Sequence, residues 1–173
     1  KCKFSLSKNP YIQAQQKVFN LIKKFRKFNL NLSNLIFMQI ESPLRPDDFF
    51  IKKVCLGAKN KKKIMVGNIN TFRDYSWVTD IVKAIFLTSN LKAKDYIISA
   101  GSNLSGKNVI KEAYKLNGLD YKKYFSIKKK FFRKNEKKYL VGSKRNIFFI
   151  KNKYNFKFKI FGFKLIKEMF KNI

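Results

Sequence analysis

The run Ile64-Met65-Val66-Gly67-Asn68-Ile69-Asn70-Thr71-Phe72-Arg73-Asp74-Tyr75-Ser76-Trp77-Val78-Thr79-Asp80-Ile81-Val82-Lys83-Ala84-Ile85-Phe86 decides the fold class of this chain. It starts as a short apolar strand, passes through a turn at Gly67 and Asn68, and ends as an amphipathic helix. A strand, a connection and a helix in succession are the unit of layered α/β structure. Arg73 falls in the connection, read here as a turn, where its guanidinium fork would match phosphate oxygens in pairs as a lysine does not. Arg73 and Asp74 read equally as a surface ion pair of little energetic weight. This stretch alone leaves both readings open.

Upstream, Asn9 and Pro10 form a helix start, with Asn as the cap and Pro in the first turn. Ala14, Val18, Leu21, Ile22, Phe25 and Phe28 then recur at helical spacing, predicting a helix of several turns with one buried face. Leu35 to Ile40 is continuously apolar, as expected of a strand buried on both faces of a parallel sheet. A loop from Glu41 to Asp48 leads into a predicted helix from Phe49 to Leu56, ended by Gly57, and Ala58 to Lys63 is a polar turn. Downstream, Asp95 to Ser99 is a strand, and Ser105 caps a helix to Leu116 closed by Asn117 and Gly118. Phe125 to Phe132 is extended, Ser143 caps a short helix through Phe149, and Phe163, Ile166, Met169 and Phe170 mark a last amphipathic helix. No Gly-rich phosphate loop precedes the strand at Leu35, so a dinucleotide fingerprint lies outside this chain.

With 173 residues, 45% of them hydrophobic, the chain has enough apolar surface for a core. Its net charge of +30 would ordinarily point to a polyanion such as nucleic acid. The charge is almost entirely lysine, dispersed through every segment and accompanied by abundant Asn, Ile, Phe and Tyr, which reads as a compositional bias rather than a basic face. Lys61 to Lys63 and Lys128 to Lys130 are short enough to be solvated loops. Nucleic acid is therefore not the expected partner. Cys2 and Cys55 are isolated and there is no histidine, which excludes Cys-His zinc sites and Ser-His or Cys-His catalysis within this chain, and no metal is expected. Two lone cysteines fit a reducing cytoplasm. No apolar run approaches the roughly 18 residues of a membrane span. A start at Lys1 rather than Met is expected of a fragment or processed product.

Taken in order, these pieces resemble the extended short-chain dehydrogenase/reductase family, and within it the GDP-mannose 4,6-dehydratases. Asn9-Pro10-Tyr11 is similar to the Ser-Pro-Tyr that opens the family's catalytic helix, and Phe25-Arg26 to the Tyr-Arg further along. Met38-Gln39-Ile40-Glu41-Ser42-Pro43-Leu44-Arg45 resembles Phe-Asn-His-Glu-Ser-Pro-Arg-Arg, and Phe49 to Lys53 resembles Phe-Val-Thr-Arg-Lys. Gly67-Asn68 with Arg73-Asp74-Tyr75 and Asp80 follows Gly-Asn-Leu-Asp-x-x-Arg-Asp-Trp and the helix after it. Asp95 to Gly101 resembles Asp-Tyr-Val-Ile-Ala-Thr-Gly, and Phe131 to Glu136 resembles Tyr-Tyr-Arg-Pro-Thr-Glu, with Leu140 and Gly142 beyond. In a chain that otherwise uses lysine, Arg26, Arg45, Arg73 and Arg133, four of its five arginines, fall where the family has arginine.

The resemblance implies an α/β fold: part of a Rossmann-type parallel sheet plus the smaller α/β substrate-binding domain of an extended family member. Residues 1–41 would be the last helix and strand of the NADP-binding domain, and 42–173 mainly the nucleotide-sugar domain, with about 77–101 returning to the Rossmann sheet. It also implies the C-terminal half of a lyase. That enzyme oxidises GDP-mannose at C4 with NADP, removes water across C5 and C6, and returns hydride to C6, giving GDP-4-keto-6-deoxymannose. Tyr11 would be the general base and, with the residue one turn on, would contact the cofactor. Tyrosine ordinarily ionises near pH 10, so the family places a lysine at that next position; here it is Gln15, which brings a hydrogen bond and no charge. The family's catalytic Ser or Thr and Glu would precede Lys1. Arg45 would reach the neighbouring subunit's cofactor in a dimer or tetramer, although its companion arginine is Leu44. Lys53, Arg73 and Arg133 would neutralise the diphosphate, Glu136 would hold a hydroxyl or the guanine edge, Gln39 would touch substrate, and Gly67 and Asn68 would admit the guanine. Another nucleotide-sugar epimerase or dehydratase of the same fold is the near alternative. Half of such an enzyme is expected to expose apolar surface and to be poorly soluble alone.

Overall fold

The computed structural model describes residues 9–173. Lys1 and Cys2 lie outside the described residues. Helix α1 (Pro10–Arg26) begins as its sequence predicts, with the Asn9 side chain accepting from the Tyr11 N–H at 2.9 Å. Its apolar face is another matter. Val18, Leu21 and Phe25 are exposed, and Phe19 is the one buried side chain of the helix. The spacing marked an apolar stripe correctly, but the described residues supply nothing to cover it.

The apolar run that follows is not one buried strand. It splits at Met38 into β1 (Asn34–Phe37) and β2 (Gln39–Glu41). Burial is complete only at its ends, Asn34 and Glu41, while Leu35 to Ile40 are half-buried. β1 pairs in parallel with β6 (Asp95–Ile98), and β2 in parallel with β5 (Tyr75–Trp77). The run therefore leaves one pairing and enters another as it approaches the loop at Glu41. Arg26 secures this start: it donates to the Leu32 carbonyl at 2.8 Å and to Asp95 at 2.9 Å. Partial burial opposes charge on Asp95, but bonds from Asn34 and Arg26 hold its carboxyl below the usual carboxylate range.

Helix α2 (Phe50–Lys59) runs through Gly57 instead of ending there. A Cβ at Gly57 would stand 2.4 Å from Ile64 Cγ2 and 2.8 Å from the Tyr114 hydroxyl, so this glycine permits close packing and the helix terminates two residues later. Strand β3 (Ile64–Val66) pairs in parallel with β8 (Phe125–Ile127), after which Lys129–Phe131 forms a turn of 3₁₀ helix. Strand β4 (Phe72–Arg73) lies between antiparallel β7 (Leu104–Ser105) and parallel β9 (Tyr139–Leu140). Arg73 is thus on a strand and not in a turn. Helix α3 (Val78–Ser89) follows β5 directly. Ser105 caps α4 (Gly106–Lys115) in a capping box with Asn108, and Ser143 caps a 3₁₀ turn continuing into α5 (Phe148–Tyr154). The chain closes with α6 (Gly162–Lys171).

Two cores result. One gathers α2, α4 and α6 around Ile51, Val54, Tyr114, Leu165, Ile166 and Met169, all of them fully buried. The other joins α3, β6 and α5 through Ile81, Ala84, Ile98 and Ile150, with Leu35, Phe37 and Ile40 of the β1–β2 run against it. Asp80 ties the last segment to α3 by accepting from the Lys159 and Ile160 N–H groups at 2.7 and 2.8 Å. Among the described residues no helix is long and apolar enough to cross a membrane.

Candidate functional site

Strand alternation sorts the Arg-Asp-Tyr triplet. Successive side chains along an extended chain point to opposite faces, so Arg73 and Tyr75 share one face and Asp74 takes the other. Arg73 and Tyr75 line a cavity of about 210 Å³. Asp74 is fully buried behind it and accepts from the Gly101, Ser102 and Gly142 N–H groups at 2.9, 3.0 and 3.3 Å. Burial raises the Asp74 carboxyl above its usual range and the three N–H bonds act against that rise. The surface-pair reading of Arg73 and Asp74 is therefore overturned. Arg73 pairs instead with Glu136, Nη2 to Oε1 at 2.8 Å, and donates from Nη1 to the Phe72 and Lys137 carbonyls at 2.8 and 3.1 Å.

The same cavity gathers most of the residues singled out in the sequence. Gln39 arrives from β2, Arg45 from the loop after it, Gly67 and Asn68 from the turn after β3, and Arg133 and Glu136 from the segment before β9. Gly67 is required by geometry, because a Cβ there would meet the Phe131 carbonyl oxygen at 2.7 Å. Lys53 lies in an adjoining hollow of about 350 Å³, which also touches Gly67, Phe131 and Arg133. Its ammonium stands 5.5 Å from the Phe131 ring centroid. Glu136 holds Arg73 in this structure, so its carboxylate serves first as that cation's partner.

Tyr11 and Gln15 are not in this cavity. They lie one turn apart on α1, both exposed. A phenol and an amide at that spacing fit the ribose hydroxyls of a nicotinamide nucleotide, but the described residues offer no Gly-rich cradle for its phosphates.

Arg45 is folded into the wall of its own chain's cavity. Nη1 donates to the Ile40 carbonyl at 2.6 Å and to Glu41 Oε1 at 3.2 Å, and the guanidinium lies 3.7 Å from the Phe49 ring centroid. Leu44, in the companion position, is 93% exposed.

Sequence reading missed Glu41, Phe49, Phe50, Thr71, Tyr75, Gly106 and Phe131, which complete the lining. Period-two alternation from Arg73 was the available signal for Tyr75, and position at the end of an apolar strand was the signal for Glu41. Glu41 is 2% exposed, and its Oε2 has no hydrogen-bond partner among the described residues. Burial drives its carboxyl up to about 7, against the pull of Arg45. Burial, with Glu41 adding to it, also pushes the Cys55 thiol up to about 12 and raises the Tyr75 phenol.

With this geometry in hand, comparison with known proteins is specific. A family model described as GDP-mannose 4,6 dehydratase matches residues 5–169. GDP-mannose 4,6 dehydratase 1 of Arabidopsis thaliana is 28% identical over 121 residues, which is 66% of this chain and 34% of that protein. Among solved structures, dTDP-glucose 4,6-dehydratase from Bacillus anthracis in complex with NAD superposes with a TM-score of 0.79 at 16% identity, covering 99% of this chain and 56% of the other. UDP-glucose 4-epimerase from Thermotoga maritima with UDP-glucose gives 0.74 at 19%, covering 94% and 53%. The fold is that of these extended short-chain dehydratases and epimerases. The chain spans about a third of the curated relative and about half of each solved structure.

Proposed function

The chain belongs to the GDP-mannose 4,6-dehydratase family, and from that premise we propose that it is the nucleotide-sugar-binding part of a dehydratase whose substrate is GDP-mannose. The observation that carries this reading is the convergence of Arg73 and Arg133 on one cavity with Gln39, Asn68 and Glu136, with Lys53 in the hollow beside it. The five cavity residues come from four separate segments, and two arginines meeting in one cleft suit a diphosphate better than a neutral sugar. In this reading Gly67 and Asn68 admit the base, Gln39 orients the sugar, and Glu136 keeps the buried Arg73 aimed.

The reaction is oxidation at C4, loss of water across C5 and C6, and reduction at C6, yielding GDP-4-keto-6-deoxymannose. A bound nicotinamide cofactor, NADP in this proposal, supplies the hydride acceptor and donor. Tyr11 would take the 4-hydroxyl proton and, with Gln15, hold the cofactor's ribose edge. Gln15 brings no charge to help the phenol give up its own proton, so proton transfer at Tyr11 is expected to be slow. The open faces of α1 and α3 would meet the rest of a Rossmann domain, and the whole enzyme would be a cytoplasmic homo-oligomer.

Calorimetric titration with GDP-mannose, UDP-glucose and dTDP-glucose tests the substrate. Tighter binding of GDP-mannose is expected. Binding of a UDP- or dTDP-sugar alone would overturn the choice in favour of another member of the fold.

A further inference from the structure

We infer that Asp74 is a positioning residue for the diphosphate site, a buried clamp that sets the segments carrying Arg73 and Arg133 against one another. This deepens the nucleotide-sugar reading and rests on it. Asp74 follows β4, the middle strand of the β7-β4-β9 sheet. Because β7 runs antiparallel to β4 and β9 parallel, the chain entering β7 and the chain leaving β9 both lie at the Asp74 end. One carboxylate reaches both. Oδ1 accepts from the Ser102 N–H at 3.0 Å, on the approach to β7, and Oδ2 accepts from Gly101 at 2.9 Å and from Gly142, just past β9, at 3.3 Å. Position 142 needs glycine for this: a Cβ there would collide with the Ser99 side chain and stand 3.2 Å from Asp74 Oδ2.

What the clamp holds is the cavity wall. The chain from Lys128 to Lys138 carries Arg133 and Glu136 into the lining, and it is exposed everywhere but at Glu136. Neither core claims a side chain from it. At its far end it is tied down by Arg73, which bonds Glu136 and the Lys137 carbonyl, and by two backbone bonds to β4, from the Phe72 N–H to the Lys138 carbonyl at 2.7 Å and from the Asp74 N–H to the Leu140 carbonyl at 3.3 Å. The two-residue β9 is shorter than strands usually are and carries too few ladder bonds to fix this wall alone. Arg73 cannot be the whole anchor either, since its guanidinium is the group that a diphosphate would engage. The Asp74 carboxylate uses no cavity side chain and points away from the cavity, so the clamp stays closed when an anion arrives. It acts through the backbone, without touching ligand.

Asp74→Asn keeps the shape, but whichever way the amide is turned its NH2 group faces at least one of the three N–H donors. Calorimetric titration of the full chain with GDP-mannose is expected to show about tenfold weaker binding in the folded variant, the scale of one misplaced hydrogen-bonded charge. Two further variants separate positioning from stability alone. Ile166→Ala, in the core of α2, α4 and α6, should leave the affinity of the folded protein unchanged. Arg133→Ala should cost about tenfold in the wild type and far less in the Asp74→Asn background, because the clamp acts through that residue. Wild-type affinity in folded Asp74→Asn, losses that multiply in the double variant, or equal weakening in Ile166→Ala overturns the role of Asp74. Where Asp74→Asn does not fold, Gly142→Ala opens the β9 side of the clamp alone; the same weakening and the same overlap with Arg133→Ala are expected, and unchanged affinity overturns the role. If wild type binds no nucleotide sugar, the substrate reading fails by itself, and inorganic pyrophosphate then tests the clamp. Weaker pyrophosphate binding by Asp74→Asn supports it, and no binding or no difference overturns it.

Discussion

Around α2, α4 and α6 the apolar side chains close on one another, whereas along α1 and α3 residues of the same types face outward. Ile166 and Met169 are fully buried, while Leu21 is 50% and Phe86 68% exposed. Both regions show a helical stripe in the sequence, so periodicity identifies a face that wants a partner without saying whether the chain supplies one. The Arg-Glu cavity belongs to the closed region, and Tyr11 and Gln15 to the open one. In the proposed reading, the residues for binding are therefore gathered in the closed region, and Tyr11 and Gln15 stand apart from them on an open helix.

The largest effect should come from the closed side. Ile166→Ala removes side-chain volume from a fully buried site and is expected to lower stability by about 2–5 kcal/mol in chemical denaturation, against almost nothing for Leu21→Ala on the open side. Equal losses at the two positions would break the contrast.

Glu41 stands where the two regions meet, at the end of the run that leaves β1 for the cavity. Its carboxyl has a folded-state value of about 7 against an ordinary 4.5. A raised carboxyl binds its proton more tightly in the folded state. That stabilising contribution is complete below about pH 4.5 and is lost as pH rises through 7. The full span is at most about 3 kcal/mol. Denaturation midpoints of wild type should fall across that window relative to Glu41→Gln, and parallel profiles would show that the buried carboxyl does not titrate there.

What the sequence made legible follows the same division. Caps at Asn9, Ser105 and Ser143 read correctly because a cap depends on a local donor and acceptor. The α/β class also read correctly, because strand and helix alternate along the chain. Gly57 did not: a helix-ending glycine and a glycine under a crossing side chain look alike until Ile64 and Tyr114 are placed beside it. Asp74 did not either, since its three N–H donors come from positions 101, 102 and 142. Within the site, the arginines stood out against a lysine background. Glu41 was hidden, since burial of a strand-end carboxylate depends on what packs over it. Arg26 carries a different lesson, because its guanidinium is engaged in the clasp to Leu32 and Asp95 and does not line the cavity.

A smaller effect probes how tightly the closed side is packed. Gly57→Ala should gain about 1 kcal/mol of helix propensity and lose about 1–3 kcal/mol to overpacking against Ile64 and Tyr114, leaving a net destabilisation of about 1 kcal/mol. A net gain in thermal melting would mean that Ile64 gives way easily.

The smallest stability change should come from making the open face polar. Replacing Val18, Leu21 and Phe25 together by lysine or glutamine takes away side chains that are each 43–53% exposed and that no core claims. Individually such surface changes stay within about 0.5 kcal/mol, and the melting temperature of the isolated chain should scarcely move. Its behaviour in solution should move a great deal, because an exposed apolar stripe drives self-association. Light scattering and binding of an apolar dye are expected to drop in the triple variant while its affinity for GDP-mannose stays the same. A triple variant that unfolds would show that α1 is held by those side chains after all. One that folds and still aggregates would move the sticky surface to Val82, Ile85 and Phe86 on α3, which are also exposed.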